Sequence, residues 1–275
     1  MLLWSTGFIG AKYGTRDSGP LTFLAIRFTL AAAILGAVAL ALKAPRPTAM
    51  QTRWVLVAGV LMQAVYLGGV FIAISLGLPS GVSALITGVH PVVTSVVGRR
   101  VLHEHLTRRQ WVGVTLGFVG VVAVVIDRLL AHTSGITGWA LVASAMGVVG
   151  ISGGTLVQRK HCAESPLVWS TVAQFAISAL ILFLAAAVFE GFDVKWTRST
   201  IGALVWAVLV LSIGAILLML WLLQRHAAAL VSSLFFLTPA LSTIEGAIAF
   251  DERLGALAVV GLVVSLAGVR LVTAR

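Results

Sequence analysis

In a chain of 275 residues that is 59% hydrophobic and 10% charged, few side chains can do chemistry, and their spacing groups them. Ser83, Thr87, His90 and Thr94 follow one another at steps of four, three and four, which puts them on one face of a helix. Thr238, Ser242 and Glu245 form a second stripe of the same kind. Polar groups on an otherwise apolar helix face the interior of a bundle or a water-filled cavity. Such stripes suit binding of a small polar solute, and the ionisable His90 and Glu245 could also carry protons. Glu245 stands several residues inside the end of its apolar run, on the order of 10 Å at 1.5 Å per residue. A carboxylate at that depth fits proton coupling or recognition of a cationic amine; the competing reading is a group that snorkels or pairs with a basic neighbour. His90 reads equally as a titrating group or as a neutral, hydrogen-bonded packing histidine.

Gln63 and Tyr66, three residues apart, offer an amide and a phenol to the same space, or a hydrogen bond between helices with no ligand. Pro91 and Pro239 sit beside the two stripes. Each removes a backbone donor and crowds the carbonyl four residues back, which bends or opens a helix; easier packing is the alternative. Arg27 lies about 10 Å into its apolar run, where it could hold an anionic group. Snorkelling to the outer surface is the better expectation for it. Glu104 and Glu252 close their runs in the related strings His103-Glu104-His105-Leu106 and Asp251-Glu252-Arg253-Leu254, and read as interface and hinge elements. Gly113 to Gly117 and Gly261 to Ser265 are small-xxx-small patterns that permit close helix approach, within one chain or in a homodimer.

Many of these residues are paired by one offset. Pro91, Thr94, Ser95, Glu104, Leu106, Gly113 and Gly120 return 148 residues later as Pro239, Ser242, Thr243, Glu252, Leu254, Gly261 and Gly268. Under the same offset His90 lies over Thr238 and Val97 over Glu245, so the copies differ in their ionisable groups. A duplicated apolar chain is a recurrent design of secondary transporters.

The elements that must position these residues are membrane spans. A mean hydropathy of +1.06 lies outside the globular range, and runs of about 20 apolar residues fill 20–42, 54–77, 80–97, 110–126, 138–157, 167–189, 201–223, 227–250 and 255–272. The apolar stretch 1–13 adds a shorter first helix, read as clipped rather than as a signal peptide because it lacks a basic start. The expected fold is an all-α membrane protein of ten transmembrane helices in two repeats, 1–126 and 137–273. Five spans per half is odd, so the second repeat enters from the opposite side and the halves are inverted. Twelve basic residues fall in loops on the side of the termini and six on the other, which places both termini in the cytoplasm. The net charge of +10 is thereby a topology signal, and nucleic acid is not an expected partner. The single cysteine, Cys162, excludes an internal disulfide framework.

The strings Leu3-Trp4-Ser5-Thr6-Gly7-Phe8, Leu21-Thr22-Phe23-Leu24-Ala25-Ile26-Arg27-Phe28, Gly81-Val82-Ser83-Ala84-Leu85-Ile86 with Pro91 and Glu104, Gln110-Trp111-Val112-Gly113, and Thr238-Pro239 through Glu245 to Glu252 together resemble the EamA-type branch of the drug/metabolite transporter superfamily, over essentially the whole chain. The resemblance implies ten helices in two inverted repeats, a central cavity, and export of amino acids, related metabolites or toxic amphiphiles across a bacterial inner membrane.

Enzyme signatures are weak. His103-Glu104-His105 lacks the i, i+4 histidine spacing of a zinc hydrolase, and the Gly-rich stretches contain no Walker lysine. The sequence therefore predicts a secondary active exporter of small metabolites, without cofactor or metal, embedded in lipid, alternating access around Gln63, Tyr66, Thr87, His90, Thr94, Thr238, Ser242 and Glu245. The alternative of a different class is a channel or lipid-facing scaffold without coupled transport.

Overall fold

The computed structural model describes residues 2–78, 80–103, 106–131, 137–238, 241 and 256–273. The helices are α1 (Leu2–Gly14), α2 (Pro20–Ala41), α3 (Ala49–Ser75), α4 (Ser80–Thr87), α5 (His90–Val101), α6 (Arg108–Ala131), α7 (Gly138–His161), α8 (Leu167–Phe189), α9 (Arg198–Arg225), α10 (Ala228–Ser233, continued by a 3₁₀ turn over Leu234–Phe236) and α11 (Ala256–Thr273). Among the described residues extended pairing is limited to one isolated antiparallel bridge, Ser18 with Val194. Among the described residues five helices, α2, α3, α7, α8 and α9, are long and apolar enough to cross a bilayer. Pro239, Ser242, Glu245, Glu104 and Glu252 lie outside the described residues.

The interior is largely apolar but also encloses long polar side chains, and the outer surface is apolar as well. Arg27, Gln63, His90, Gln158 and Gln174 are buried, while Leu180, Phe183, Leu184, Val188 and Phe189 of α8 and Val259, Val260 and Val263 of α11 are exposed. Polar groups turned inward and apolar ones outward suit a lipid solvent, and the chain is a multi-pass membrane protein. Helix starts follow from local chemistry. Pro20 opens α2 where its missing N–H is no loss. Thr48 and Gln51 cap α3 reciprocally, and Thr137 and Thr197 cap α7 and α9.

The expected continuous span 80–97 is not continuous. The chain turns at Gly88 and Val89, so α4 ends at Thr87 and α5 begins at His90 with Pro91 in its first turn. Pro91 has no N–H to give the carbonyl of Thr87, and the ladder restarts with Val92 N–H donating to Val89 O at 3.0 Å. The stripe is thereby split into two pairs. Thr87 Oγ1 donates to Ser83 O at 2.9 Å within α4, and Thr94 Oγ1 meets His90 Nδ1 at 2.9 Å within α5.

The 148-residue offset is visible in the backbone. It carries α2 onto α8, α3 onto α9 and the start of α6 onto that of α11. Both α3 and α9 widen in the middle into a π-helical stretch, Val60–Val65 and Ala207–Ile216, and the offset superposes these too. Repeat mates also pack on each other, α2 against α8 and α6 against α11, while α3 packs on α7 and α1 on α9. Along α2 and α8 the neighbours are Thr22 with Glu190, Phe28 with Phe175 and Gly36 with Val172. Numbers rise on one helix as they fall on the other, so the mates are antiparallel. The same holds for α6 and α11, where Gly113 faces Gly268 and Gly120 faces Gly261.

At one end of the bundle the repeats are clasped together. The Glu190 carboxylate accepts from Leu21 N–H at 2.9 Å, Thr22 N–H at 2.8 Å and Thr22 Oγ1 at 2.7 Å, satisfying the free donors of the α2 N-terminus with a negative charge. Lys195 N–H donates to Asp17 O at 2.8 Å, and Thr197 Oγ1 to Asp17 Oδ2 at 2.9 Å. At the other end Trp169 Nε1 donates to Ala44 O at 3.1 Å.

Candidate functional site

A small cavity of about 30 Å³ lies between the repeats, walled by Trp4, Gly7 and Phe8 of α1, Arg27 of α2, Tyr66, Leu67, Val70 and Phe71 of α3, and Leu211 and Ile216 of α9. Two of its walls come from or adjoin the π-helical stretches: Tyr66 follows the first, and Leu211 and Ile216 belong to the second. A π-turn adds a residue to the helix and re-aims the side chains around it, which is why such turns gather at functional sites.

Arg27 does not snorkel. It is 2% exposed, and its Nε donates to Ser212 Oγ of α9 at 2.8 Å. The expectation of a surface-seeking side chain rested on depth along the sequence, but α9 covers that face of α2 and holds the guanidinium inside. Arg27 reaches the cavity together with Tyr66, which is 1% exposed and whose Oη accepts from Trp4 Nε1 at 3.3 Å. Trp4 and Tyr66 stack with ring centres 6.4 Å apart.

A second polar cluster adjoins this cavity through aromatic rings. His90 Nδ1 lies 3.0 Å from Ser152 Oγ of α7 and 2.9 Å from Thr94 Oγ1. Phe235 meets the His90 ring edge-on at 5.2 Å and the Trp4 ring edge-on at 5.2 Å. A continuous row, Tyr66, Trp4, Phe235 and His90, therefore links the arginine cavity to the broken helix.

Among the residues nominated from sequence, Tyr66 lines the cavity; Gln63, Thr87, His90, Thr94 and Thr238 are buried but do not line it. Gln63 sits within the π-helical stretch of α3. Ser242 and Glu245 lie outside the described residues, as does Pro239. Sequence reasoning missed Trp4, Ser212 and Phe235. Ser212 carried a usable signal, a hydroxyl in the middle of an apolar run; nothing in the spacing of Trp4 or Phe235 marks them as neighbours. Elsewhere buried polar groups pair with one another, as Gln174 Nε2 with Gln158 Oε1 at 2.8 Å and Ser178 Oγ with Gly59 O at 3.0 Å. Among the described residues no group of histidine, cysteine and carboxylate side chains is arranged to hold a metal ion.

The EamA-like transporter family matches residues 1–126 and 138–274. Two relatives, from Escherichia coli (strain K12) and Salmonella typhimurium (strain LT2), carry the name "Probable amino-acid metabolite efflux pump"; they are 25% identical over 277 residues and 24% identical over 281 residues, each match covering 98% of this chain and 90% of the relative. A protein of known crystal structure, 22% identical, shares the fold with a TM-score of 0.78 over 99% of this chain and 93% of its own.

Proposed function

This chain belongs to the EamA-like transporter family, and from that premise we propose that it is a secondary active exporter of amino acids or related small metabolites. It works by alternating access through the space between its repeats, as ten helices in two inverted sets of five in a bacterial inner membrane, with both termini in the cytoplasm. The observation that carries this reading is a cavity walled by both repeats that holds a buried arginine. Taking a cation out of water costs several kcal/mol even after relaxation, and a membrane protein keeps such a group where a polar solute or an ion will meet it. The antiparallel packing of repeat mates supports inversion, since two halves related by an axis in the membrane plane place equivalent helices in opposite directions. The names of the two relatives support the direction and the substrate class.

In this account the break at Gly88 and Val89 and the π-helical stretches of α3 and α9 are the places where the helices flex, and Gln63, Thr87, His90, Thr94, Thr238, Ser242 and Glu245 line the path on either side of the arginine cavity. Glu245 is the proton-coupling group. The test is thiol accessibility. Cysteines at Thr87, Thr94 and Ser242 react with water-soluble reagents from at least one side of the membrane, and substrate on the opposite side changes the rate. The native Cys162 does not interfere, because its thiol is buried and pushed up to about 12, which leaves almost no reactive thiolate. Failure of all three cysteines to react from both sides would remove the aqueous path.

A further inference from the structure

The polar side chains that line the arginine cavity are all hydrogen-bond donors: the guanidinium of Arg27, the phenol of Tyr66 and the indole of Trp4. Two of them have donors left over. Arg27 uses Nε on Ser212, and a guanidinium has further N–H groups in its planar fork. The Tyr66 oxygen accepts from Trp4, so its own proton is directed elsewhere. No carboxylate among the described residues forms an ion pair with Arg27. The rest of the wall, Phe8, Leu67, Val70, Phe71, Leu211 and Ile216, is apolar.

A buried cation beside a spare phenolic donor, in an apolar chamber without an acidic partner among the described residues, lacks one component. We propose that Arg27 and Tyr66 bind the carboxylate of the transported molecule, and that the chamber selects organic acids with a compact apolar body, held carboxylate toward α2 and α9. This rests on the exporter reading and names the part of the substrate that the cavity recognises. Ser212 is a positioning residue, fixing Nε so that the remaining edge of the guanidinium faces the chamber. The geometry of the fork suits two parallel bonds to a carboxylate, which a lysine could not supply.

The test uses the full chain purified in detergent and three probes of one shape: 3-phenylpropionate, its neutral amide and the amine phenethylamine, with binding read by calorimetry and by thermal shift. The acid binds at least about tenfold more tightly than the amide or the amine, since bonds to a charged group contribute about 1.5–3 kcal/mol. Arg27→Gln abolishes that preference, Arg27→Lys keeps part of it, and Tyr66→Phe weakens the acid several-fold while sparing the amide. Should Arg27→Gln fail to fold, the acid-to-amide ratio and the Tyr66→Phe variant decide the matter. Equal binding of acid and amide, absence of acid binding, or acid binding indifferent to both substitutions would overturn the proposal; equal binding is also what an arginine neutralised by a carboxylate within the chain would give. Counterflow in proteoliposomes separates the two claims. Acid that binds but is not moved contradicts export and leaves the site standing, whereas transport without preference for the acid contradicts the site and leaves the exporter.

Discussion

Gly113 and Gly268 lie backbone to backbone across α6 and α11, so close that a Cβ on Gly113 would fall 2.7 Å from the carbonyl oxygen of Gly268 and one on Gly268 would fall 2.6 Å from that of Gly113. A two-fold axis between equivalent helices carries this contact onto one between the repeat mates of the two residues, Gly261 and Gly120. Gly120 and Gly261 repeat it one step along, and Ser265 Oγ reaches Gly117 O, its own repeat mate, at 3.5 Å. Gly113→Val and Gly268→Val should each destabilise the protein by about 1–3 kcal/mol or more through overpacking, seen as a lower Tm in detergent. Gly202→Ala, where an added Cβ meets nothing within 4 Å, should be neutral or slightly stabilising.

The clasp of Asp17, Ser18, Leu21 and Thr22 with Glu190, Val194, Lys195 and Thr197 closes the end of the bundle that the proposed topology turns outward. Opening there requires the α1–α2 turn to part from the α8–α9 turn. Cysteines at Ser18 and Val194, paired across the bridge, should cross-link on oxidation and stop transport, with activity returning on reduction. Transport that continues at full rate in the cross-linked protein would show that these turns stay together through the cycle. Glu190→Ala, measured by thermal unfolding, should cost about 1–2 kcal/mol, the range for a charged cap in a favourable position.

Pro91→Ala supplies the missing N–H opposite Thr87 O and lets α4 run into α5. A Tm that rises or holds, with a transport rate that falls, is the expected pair of results. A rate equal to that of the unaltered protein would show that the break is a packing feature.

Glu245→Gln should abolish the dependence of transport on a pH gradient while leaving exchange of substrate for substrate intact. That split distinguishes a coupling group from a structural one, since loss of a structural carboxylate lowers both modes together.

The parts of this fold that were legible in the sequence are those set by composition along a single helix. The apolar runs 20–42, 167–189 and 201–223 located α2, α8 and the start of α9 to within a few residues, because apolar length is a local property. Close approach at Gly113 to Gly117 and Gly261 to Ser265 was legible as a small-residue pattern, though neither the helix that each would meet nor the part of Gly120 and Gly268 was. The site was harder to read. Arg27 was expected at the surface because depth in a span says nothing about which neighbour covers it, and Ser212 is 185 residues away. The stripe from Ser83 to Thr94 has helical spacing throughout, yet the chain breaks within it at Gly88 and Val89; proline chemistry signalled a bend, while the spacing rule assumed an uninterrupted helix. The π-helical stretches left no trace, since one added residue in a uniformly apolar run does not alter its pattern. The row of Tyr66, Trp4, Phe235 and His90 exists only once α1, α3 and α5 have packed with the turn after α10.

The central claim, that this chain moves small metabolites as a carrier, is tested most directly by counterflow in proteoliposomes. Vesicles loaded with unlabelled amino acids and related metabolites are diluted into labelled solute, and uptake is followed over time. A carrier gives saturable uptake that overshoots when the same solute is inside and decays as the gradient dissipates. Uptake that is linear in concentration and indifferent to solute on the far side would contradict that claim and identify a channel.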